Sequence, residues 1–347
     1  MGETPMRLTG ETPVLRFTPV LPETPMASRY PLFDRSQLTL LSLRDRKHDV
    51  HLADVLSIGQ RPVPFEHPDL PTVAQAVRDA RRRGATVALM MGAHVIKRGL
   101  SRYVIDLIRR GWVTLVATNG ACSIHDYELA RFGASTESVA AYIAKGQFGL
   151  WTESGELNEI VAQGDREGLG YGEAMGRAIV TADAATYPHR DVSIFAAAYE
   201  AGVPATVHIG VGYDIIHEHP NFDGAAFGSA SYRDFLIYTR QAQNFEGGVV
   251  LCFGSAVMGP EIYLKALAMA RNVAHRKGKS IRQLTSAVFD LVPLSGDLHT
   301  EAPKDSPEYY YRPFKTILVR TVADGGQSYY LRGDHQATLP ALHALLG

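Results

Sequence analysis

TVALMMGAH at residues 86–94 and VTLVATNGA at residues 113–121 are the two stretches that decide the fold class. In both, a continuous apolar run ends at a glycine-containing turn, which is typical of strands buried on both faces of a parallel sheet. Between them, residues 100–110 have helical spacing and end at Gly111, a residue type that commonly stops a helix. The sequence therefore predicts an α/β protein with a doubly wound, mostly parallel sheet.

The same alternation of strand and helix continues to the C-terminus. Further apolar runs predict strands over residues 192–197, 205–209, 248–253, 286–291 and 316–319. Helical spacing predicts helices over residues 73–83, 172–182, 230–243, 260–274 and 337–346. In a sheet of this kind, ligands bind where the strands end and the loops cross to the helices.

The chain divides by composition into three parts. Residues 1–29 are of low complexity, because Gly-Glu-Thr-Pro occurs at residues 2–5 and again at residues 10–13. Prolines remove backbone donors, so we expect a disordered tail, with an arm that docks onto a neighbouring subunit as the alternative. Residues 30–71 mix short apolar pieces with many charges, and we expect a cap there. Residues 72–347 are expected to form one α/β domain.

The overall composition excludes several classes of protein. The 347 residues are 46% hydrophobic and 20% charged, and 35 Lys and Arg balance 36 Asp and Glu to a net charge of −1. Such a chain can bury a core, and it has no net field to attract nucleic acid or an anionic membrane. Its two cysteines exclude a disulfide scaffold, and no apolar stretch reaches the roughly 18 residues of a membrane span. We expect a cytoplasmic protein that binds neither nucleic acid nor membrane.

Glycine-rich turns that carry polar residues follow the predicted strands. Glycine at the carboxyl end of a strand lets a nucleotide approach the backbone, and the helix N-terminus that follows favours a phosphate. No Gly-x-Gly-x-x-Gly follows the first strand, so the usual dinucleotide fingerprint is missing, and tight turns alone are the alternative. We expect a nucleotide cofactor to contact Gly92, His94, Thr118, Asn119, Gly120, Gly254 and Ser255.

A first polar cluster follows the second strand. His125, Asp126 and Glu128 place an imidazole and two carboxylates where we expect a helix to begin. These groups can contact a substrate at the ligand-binding edge. The alternative is that Asp126 only caps the helix, since an acidic side chain at a helix N-terminus accepts hydrogen bonds from free amides.

A second polar cluster follows a later strand and comprises Asp214, His217, His219 and Asp223. A histidine at such an edge can transfer protons near neutral pH, so catalytic or substrate contacts are one interpretation. Together with His208, the first three could instead hold a metal, and purely structural histidines are the third interpretation. The spacing matches no familiar metal motif, and we expect no metal.

Lys315 immediately precedes the last predicted strand and follows a run of three tyrosines at residues 309–311. A lysine in such a place is usually solvated. If it lies desolvated against aromatic rings, its pKa falls and its amine can attack an imine or carbonyl carbon.

Several of these segments, taken in order, resemble deoxyhypusine synthase. They are similar to that family's first nucleotide-binding half, its Gly-Asp and His segment, its glycine-rich late strand, and its closing strand and helix. The matching segments are residues 91–100, 118–121, 212–219, 248–256 and 330–340. His219 is the spacing match to the family's histidine. The His-Asp-x-Glu segment at residues 125–128 is closer to the NAD-binding domain attached to some ornithine-processing enzymes.

The resemblance implies a Rossmann-like, NAD-binding sheet and a homotetramer with active sites between subunits. It also implies that NAD oxidises an amine, a polyamine or a basic amino acid, to an imine, which a lysine can capture before the hydride returns. On this basis we expect His219 to take the proton, Asp126 or Asp214 to hold the cationic amine, and Lys315 to capture the imine. Further substrate contacts are expected from His125, Glu128, His217, Asp223 and Asp334.

Two other classes of function stay open at this stage. A sheet of this type that has lost its chemistry would be a nucleotide-binding or oligomeric scaffold protein. A metal held by the histidines of the second cluster would indicate a metal-dependent hydrolase.

Overall fold

The computed structural model describes residues 28–60 and 63–347. Most of the tail predicted for residues 1–29 therefore lies outside the described residues. The chain divides into two compact units after Gln37, within the segment 30–71 that is predicted as a cap. In the first unit, the described residues include one short 3-10 turn, Arg35–Gln37. All features below belong to the second unit.

A six-stranded sheet forms the centre of the second unit. Its strands, in chain order, are β1 Val87–Met91, β2 Leu115–Asn119, β3 Ala205–His208, β4 Val249–Phe253, β5 Thr285–Asp290 and β6 Gln327–Arg332. The spatial order is β3-β2-β1-β4-β5-β6, and every neighbouring pair is parallel. The predicted fold class is confirmed, and the strand order is that of a Rossmann-like sheet.

Helices cover both faces of the sheet. They are α1 Leu70–Arg82, α2 His94–Lys97, α3 Ser101–Arg109, α4 Gly120–Phe132, α5 Val139–Ile143, α6 Glu156–Arg166, α7 Tyr171–Thr181, α8 Ile194–Glu200, α9 Gly224–Ala242, α10 Met258–Arg276 and α11 His335–Leu346. One hydrophobic core lies under α1, α3, α4, α7, α8 and α11, and a second lies under α10 and a π-helix, Pro313–Arg320. A two-stranded antiparallel ribbon, Val50–His51 with Ala134–Ser135, lies outside the main sheet.

Two predicted strands are wrong. Residues 192–197 form the end of a 3-10 turn and the start of α8, because Ser193 caps the helix and an alanine-rich stretch follows it. Residues 316–319 lie in the π-helix. A short, fully buried apolar run does not distinguish strand from helix, and the sixth strand is instead the more polar segment β6.

The helix expected to begin at the first polar cluster starts five residues earlier. Its N-cap is Asn119, whose side-chain oxygen accepts a hydrogen bond from the backbone of Cys122, and it ends at Gly133 in a left-handed conformation. His125, Asp126 and Glu128 therefore lie in the middle of α4 and not at its N-terminus. Among the described helices, none is long and apolar enough to cross a bilayer.

Candidate functional site

The order of the strands reverses between the neighbouring parallel strands β1 and β4. The chain leaves β1 towards α2 and α3 over the first core, and leaves β4 towards α10 over the second. In sheets of this type, a ligand crevice lies outside the carboxyl ends of two neighbouring strands whose following connections run to opposite faces of the sheet. Gly92 and His94 follow β1 at this place, and Gly254 and Ser255 follow β4.

Two glycines shape this edge. A Cβ atom at Gly92 would overlap the carbonyl oxygen of Gly254, so the two strand ends approach each other more closely than a side chain allows. Gly254 has a φ of +63°, and the ring of His335 lies against it. The Nδ1 atom of His335 is buried and has no hydrogen-bond partner among the described residues. The edge thus offers bare backbone and an unpaired polar atom, which suit a nucleotide.

Three other predicted cofactor contacts are engaged in local hydrogen bonds. The hydroxyl of Thr118 donates to a carbonyl of β3 over 3.2 Å. The side-chain oxygen of Asn119 caps α4, and the hydroxyl oxygen of Ser255 accepts from a backbone N–H in the first turn of α10. These three side chains therefore have structural roles in the strand ends.

A cavity of about 220 Å³ opens beside the N-terminus of α4, and we name it the α4 cavity. Apolar side chains such as Phe148 and Ile215 form part of its wall. Its charged and titratable lining residues are Arg46, Lys97, His125, Glu128, Glu137, Tyr213 and Asp214. Three of the predicted site residues are thus brought together: His125, Glu128 and Asp214.

Asp214 lies directly against the first residue of α4. A Cβ atom at Gly120 would overlap the Asp214 carboxylate, so the carboxylate by itself requires glycine at this position. Burial raises the pKa of Asp214 to about 6. Such a carboxylate is ionised at neutral pH, and a cation in the cavity would stabilise it further.

The ring of His217 lies beside Asp214 and accepts hydrogen bonds from the backbone of this segment. Its Nδ1 accepts hydrogen bonds from the backbone N–H groups of Gly212 and Asp214, at 3.0 and 3.2 Å. The ring proton therefore belongs on Nε2, which lies 3.9 Å from Asp214 Oδ2. Burial lowers the pKa of His217 to about 4, so the ring is neutral and turns an N–H towards the carboxylate.

A chain of hydrogen bonds connects His125 to a buried ion pair. His125 Nδ1 lies 2.7 Å from the hydroxyl oxygen of Ser135, and that hydroxyl lies 2.7 Å from Glu128 Oε2. The same oxygen accepts from the Arg46 guanidinium at 2.6 Å, and both charged side chains are 1% exposed. Burial lowers the pKa of His125 to about 4, so its ring is neutral.

His219 and Asp126 do not line the α4 cavity. His219 is 1% exposed, and its Nε2 lies 2.9 Å from the carbonyl oxygen of Gly149. Asp126 is fully buried and accepts hydrogen bonds from Ser193 Oγ and the Ile194 N–H, at 2.5 and 2.6 Å. Asp126 is a helix cap, but for α8 and not for its own helix.

Three further predicted residues lie apart from this cavity. Lys315 is 9% exposed, with its Nζ 3.2 Å from the centroid of the Tyr309 ring. It belongs to the connection between β5 and β6, on the opposite side of β1 from α4. Asp223 caps α9, and Asp334 caps α11 and pairs with Arg98. Within one chain, Lys315 and Asp214 are not brought together.

The histidines of the second cluster do not converge on a metal site. His208 Nε2 lies 3.0 Å from the hydroxyl of Thr206 inside the sheet, and His217 and His219 are held by the backbone contacts described above. Over residues 28–60 and 63–347, no group of three or more His, Cys, Asp or Glu side chains is arranged to hold a metal ion.

The sequence gives no direct signal for two members of the site. Arg46 lies in a charged run and reaches Glu128 across 82 residues. Ser135 follows α4 and reaches His125 only because the ribbon carries it back over the helix. The spacing of His125 and Glu128, one helical turn apart on α4, is the part that a helix assignment could have revealed.

The comparison with protein-family models agrees with this fold. Residues 71–166 match the family model of the arginine dihydrolase ArgZ-like C-terminal Rossmann fold. The predicted resemblance to the NAD-binding domain of ornithine-processing enzymes is thereby confirmed over these residues. No curated protein sequence matches the chain.

The solved structures that are similar share little sequence with this chain. ArgZ, an arginine dihydrolase from the ornithine-ammonia cycle in cyanobacteria, has 14% identity and a TM-score of 0.44 over 81% of this chain and 33% of its own. A putative LOR/SDH protein from Methanococcus maripaludis S2 has 12% identity and a TM-score of 0.45 over 84% and 73%. A putative deoxyhypusine synthase from Entamoeba histolytica has 10% identity and a TM-score of 0.37 over 75% and 74%. The chain spans about a third of the length of ArgZ.

Proposed function

We propose that this protein is an NAD-dependent enzyme that oxidises a small amine to an imine at the α4 cavity. The observation that carries the proposal is that Asp214 and His125 line one cavity at the carboxyl edge of a Rossmann-like sheet. The match of residues 71–166 to the ArgZ-like Rossmann domain supports it. The base, His125, lies on α4, and the amine-binding carboxylate, Asp214, lies in the segment after β3. Both are next to the crevice at which sheets of this type bind dinucleotides.

The cofactor fits the edge between β1 and β4. Gly92 and Gly254 expose backbone there, and His335 Nδ1 has no hydrogen-bond partner among the described residues. These residues, with the exposed His94, would hold the dinucleotide. NAD, when bound, accepts a hydride from the carbon that carries the amine.

The residues of the α4 cavity bind the amine and deprotonate it before the hydride leaves. The Asp214 carboxylate binds the substrate as an ammonium ion. His125, which is neutral, accepts one proton from the nitrogen, because hydride leaves most readily from a carbon next to a neutral amine. Loss of a proton from nitrogen and of a hydride from carbon leaves an iminium ion, with NADH and a protonated base as the other products.

The lining of the cavity also bears on which amine is bound. Lys97 lines the same cavity as Asp214, and a cation and a carboxylate in one cavity complement an amine that also carries a carboxylate group. We therefore propose a basic amino acid, such as ornithine, in preference to a polyamine. Lys315 is remote from the α4 cavity of its own chain, so it would have to capture an imine formed in the α4 cavity of another subunit. The expected homotetramer is therefore needed for the capture step and not for the oxidation.

Calorimetry and turnover test the proposal together. We expect the purified protein to bind NAD and to consume a basic amino acid only when NAD is present. His125→Gln should lower kcat about 100-fold or more and leave NAD binding intact, while His275→Gln, on an exposed face of α10, serves as the matched control. Absence of NAD binding, or full turnover by His125→Gln, would reject the proposal, and light scattering tests the tetramer.

A further inference from the structure

The hydrogen-bonded chain behind His125 is built from three separate parts of the fold. His125 and Glu128 lie one turn apart on α4, Ser135 belongs to the ribbon that follows it, and Arg46 comes from the segment before the ribbon. Each link is between 2.6 and 2.7 Å. The two inner residues, Glu128 and Ser135, are both 1% exposed, so water does not replace these links.

The donors and acceptors of this chain allow only one direction of hydrogen bonding. Arg46 can only donate. Burial alone would raise the pKa of Glu128, but the charge and hydrogen bond of Arg46 outweigh it and the pKa is lowered, so Glu128 is an ionised carboxylate that can only accept. The single hydroxyl proton of Ser135 must then go to Glu128. The Ser135 oxygen is left as an acceptor, and the hydrogen bond from His125 has to come from an Nδ1–H group.

We propose that Arg46, Glu128 and Ser135 are positioning residues that hold His125 as its Nδ1–H tautomer, so that the lone pair of Nε2 faces the α4 cavity as the proton acceptor. His125 lines that cavity, and its Nδ1 is turned away towards Ser135, which leaves Nε2 for the cavity side. The tautomer follows from the hydrogen bonds alone. Its catalytic use rests on the proposed function.

Long-range proton–nitrogen NMR of the histidine rings measures this tautomer without any assay of activity. In the wild-type protein near neutral pH we expect the His125 signal, assigned with His125→Gln, to show a protonated Nδ1 and a bare Nε2. Ser135→Ala removes the acceptor and should move the ring towards the Nε2–H form. Ser154→Ala is the matched control, because Ser154 also donates to Glu128, at 3.3 Å, but does not touch His125.

The possible results separate the two proposals. An Nε2–H signal in the wild type, or an unchanged tautomer in Ser135→Ala, overturns the positioning role, and the wild-type measurement decides even if the variant fails to fold. If the tautomer is as expected but no NAD-dependent turnover exists, the proposed function fails and the positioning chain stands. If both hold, Ser135→Ala should lower kcat by about tenfold or more with little change in KM, since a correctly placed base contributes roughly 100-fold or more to rate.

Discussion

Replacement of Arg46 by methionine is the sharpest test of how the α4 cavity is built. The Arg46 guanidinium and the Glu128 carboxylate are 2.6 Å apart, and both side chains are 1% exposed. Methionine fills much of the volume of arginine but leaves the Glu128 charge buried without its partner. Removal of one member of a buried ion pair costs about 3–5 kcal/mol of unfolding free energy.

A double-mutant cycle by urea unfolding measures this effect. We expect Arg46→Met and Glu128→Leu each to lose about 3–5 kcal/mol, and the double variant to lose much less than their sum, because no charge is then left unpaired. The Ser154→Ala variant, which removes only one hydrogen bond to Glu128, should lose about 1 kcal/mol.

The pH dependence of this loss has a definite sign. The pKa of Glu128 is lowered in the folded protein, so its contribution is fully present above its unfolded pKa and disappears as the pH falls through the folded value. The difference in unfolding free energy between the wild type and Arg46→Met should therefore become smaller in acid. If either single variant lost less than about 1 kcal/mol of unfolding free energy, or if the losses added up in the double variant, Arg46 and Glu128 would not form a buried ion pair.

Three further outcomes concern the site. Asp214→Asn should raise KM for the amine roughly 10- to 100-fold, since a charged hydrogen bond is worth about 1.5–3 kcal/mol, and should leave the calorimetric Kd for NAD unchanged; an unchanged KM contradicts the ammonium contact. In the wild type, kcat/KM should fall as the pH drops below about 6, where the Asp214 carboxylate takes up a proton, and a flat profile through that range speaks against its role. Lys97→Met should raise KM for amino acids and spare diamines, whereas equal effects on both would remove the argument for a carboxylate-bearing substrate.

Much of the fold could be predicted from residue patterns. The buried strands β1, β2 and β4 are continuous apolar runs that end in glycine turns, and the parallel sheet follows from their alternation with helices. The same pattern failed at residues 316–319, because an apolar run that is buried on all sides is compatible with a π-helix as well as a strand. The apolar-run pattern also did not identify β6, in which two residues are buried, two are half-buried and two are exposed.

The candidate site could be predicted only in part. Asp214 was identifiable because it follows a strand at the ligand-binding edge. The histidine beside the cavity was not identifiable, because the spacing match favoured His219. Only the tertiary structure places His125 beside the cavity and His219 in a buried contact with Gly149. The partner of Glu128 lies 82 residues away, a contact that no local pattern encodes.

Transfer of deuterium from substrate to cofactor tests the central claim most directly. A basic amino acid deuterated at each amine-bearing carbon is incubated with the protein and NAD, and the NADH formed in a single turnover is analysed by mass spectrometry. The proposed function predicts deuterated NADH from the wild type and from His275→Gln at similar rates, and formation about 100-fold slower or more from His125→Gln. NADH without deuterium, or equal deuterium transfer by His125→Gln, would contradict amine oxidation at the α4 cavity.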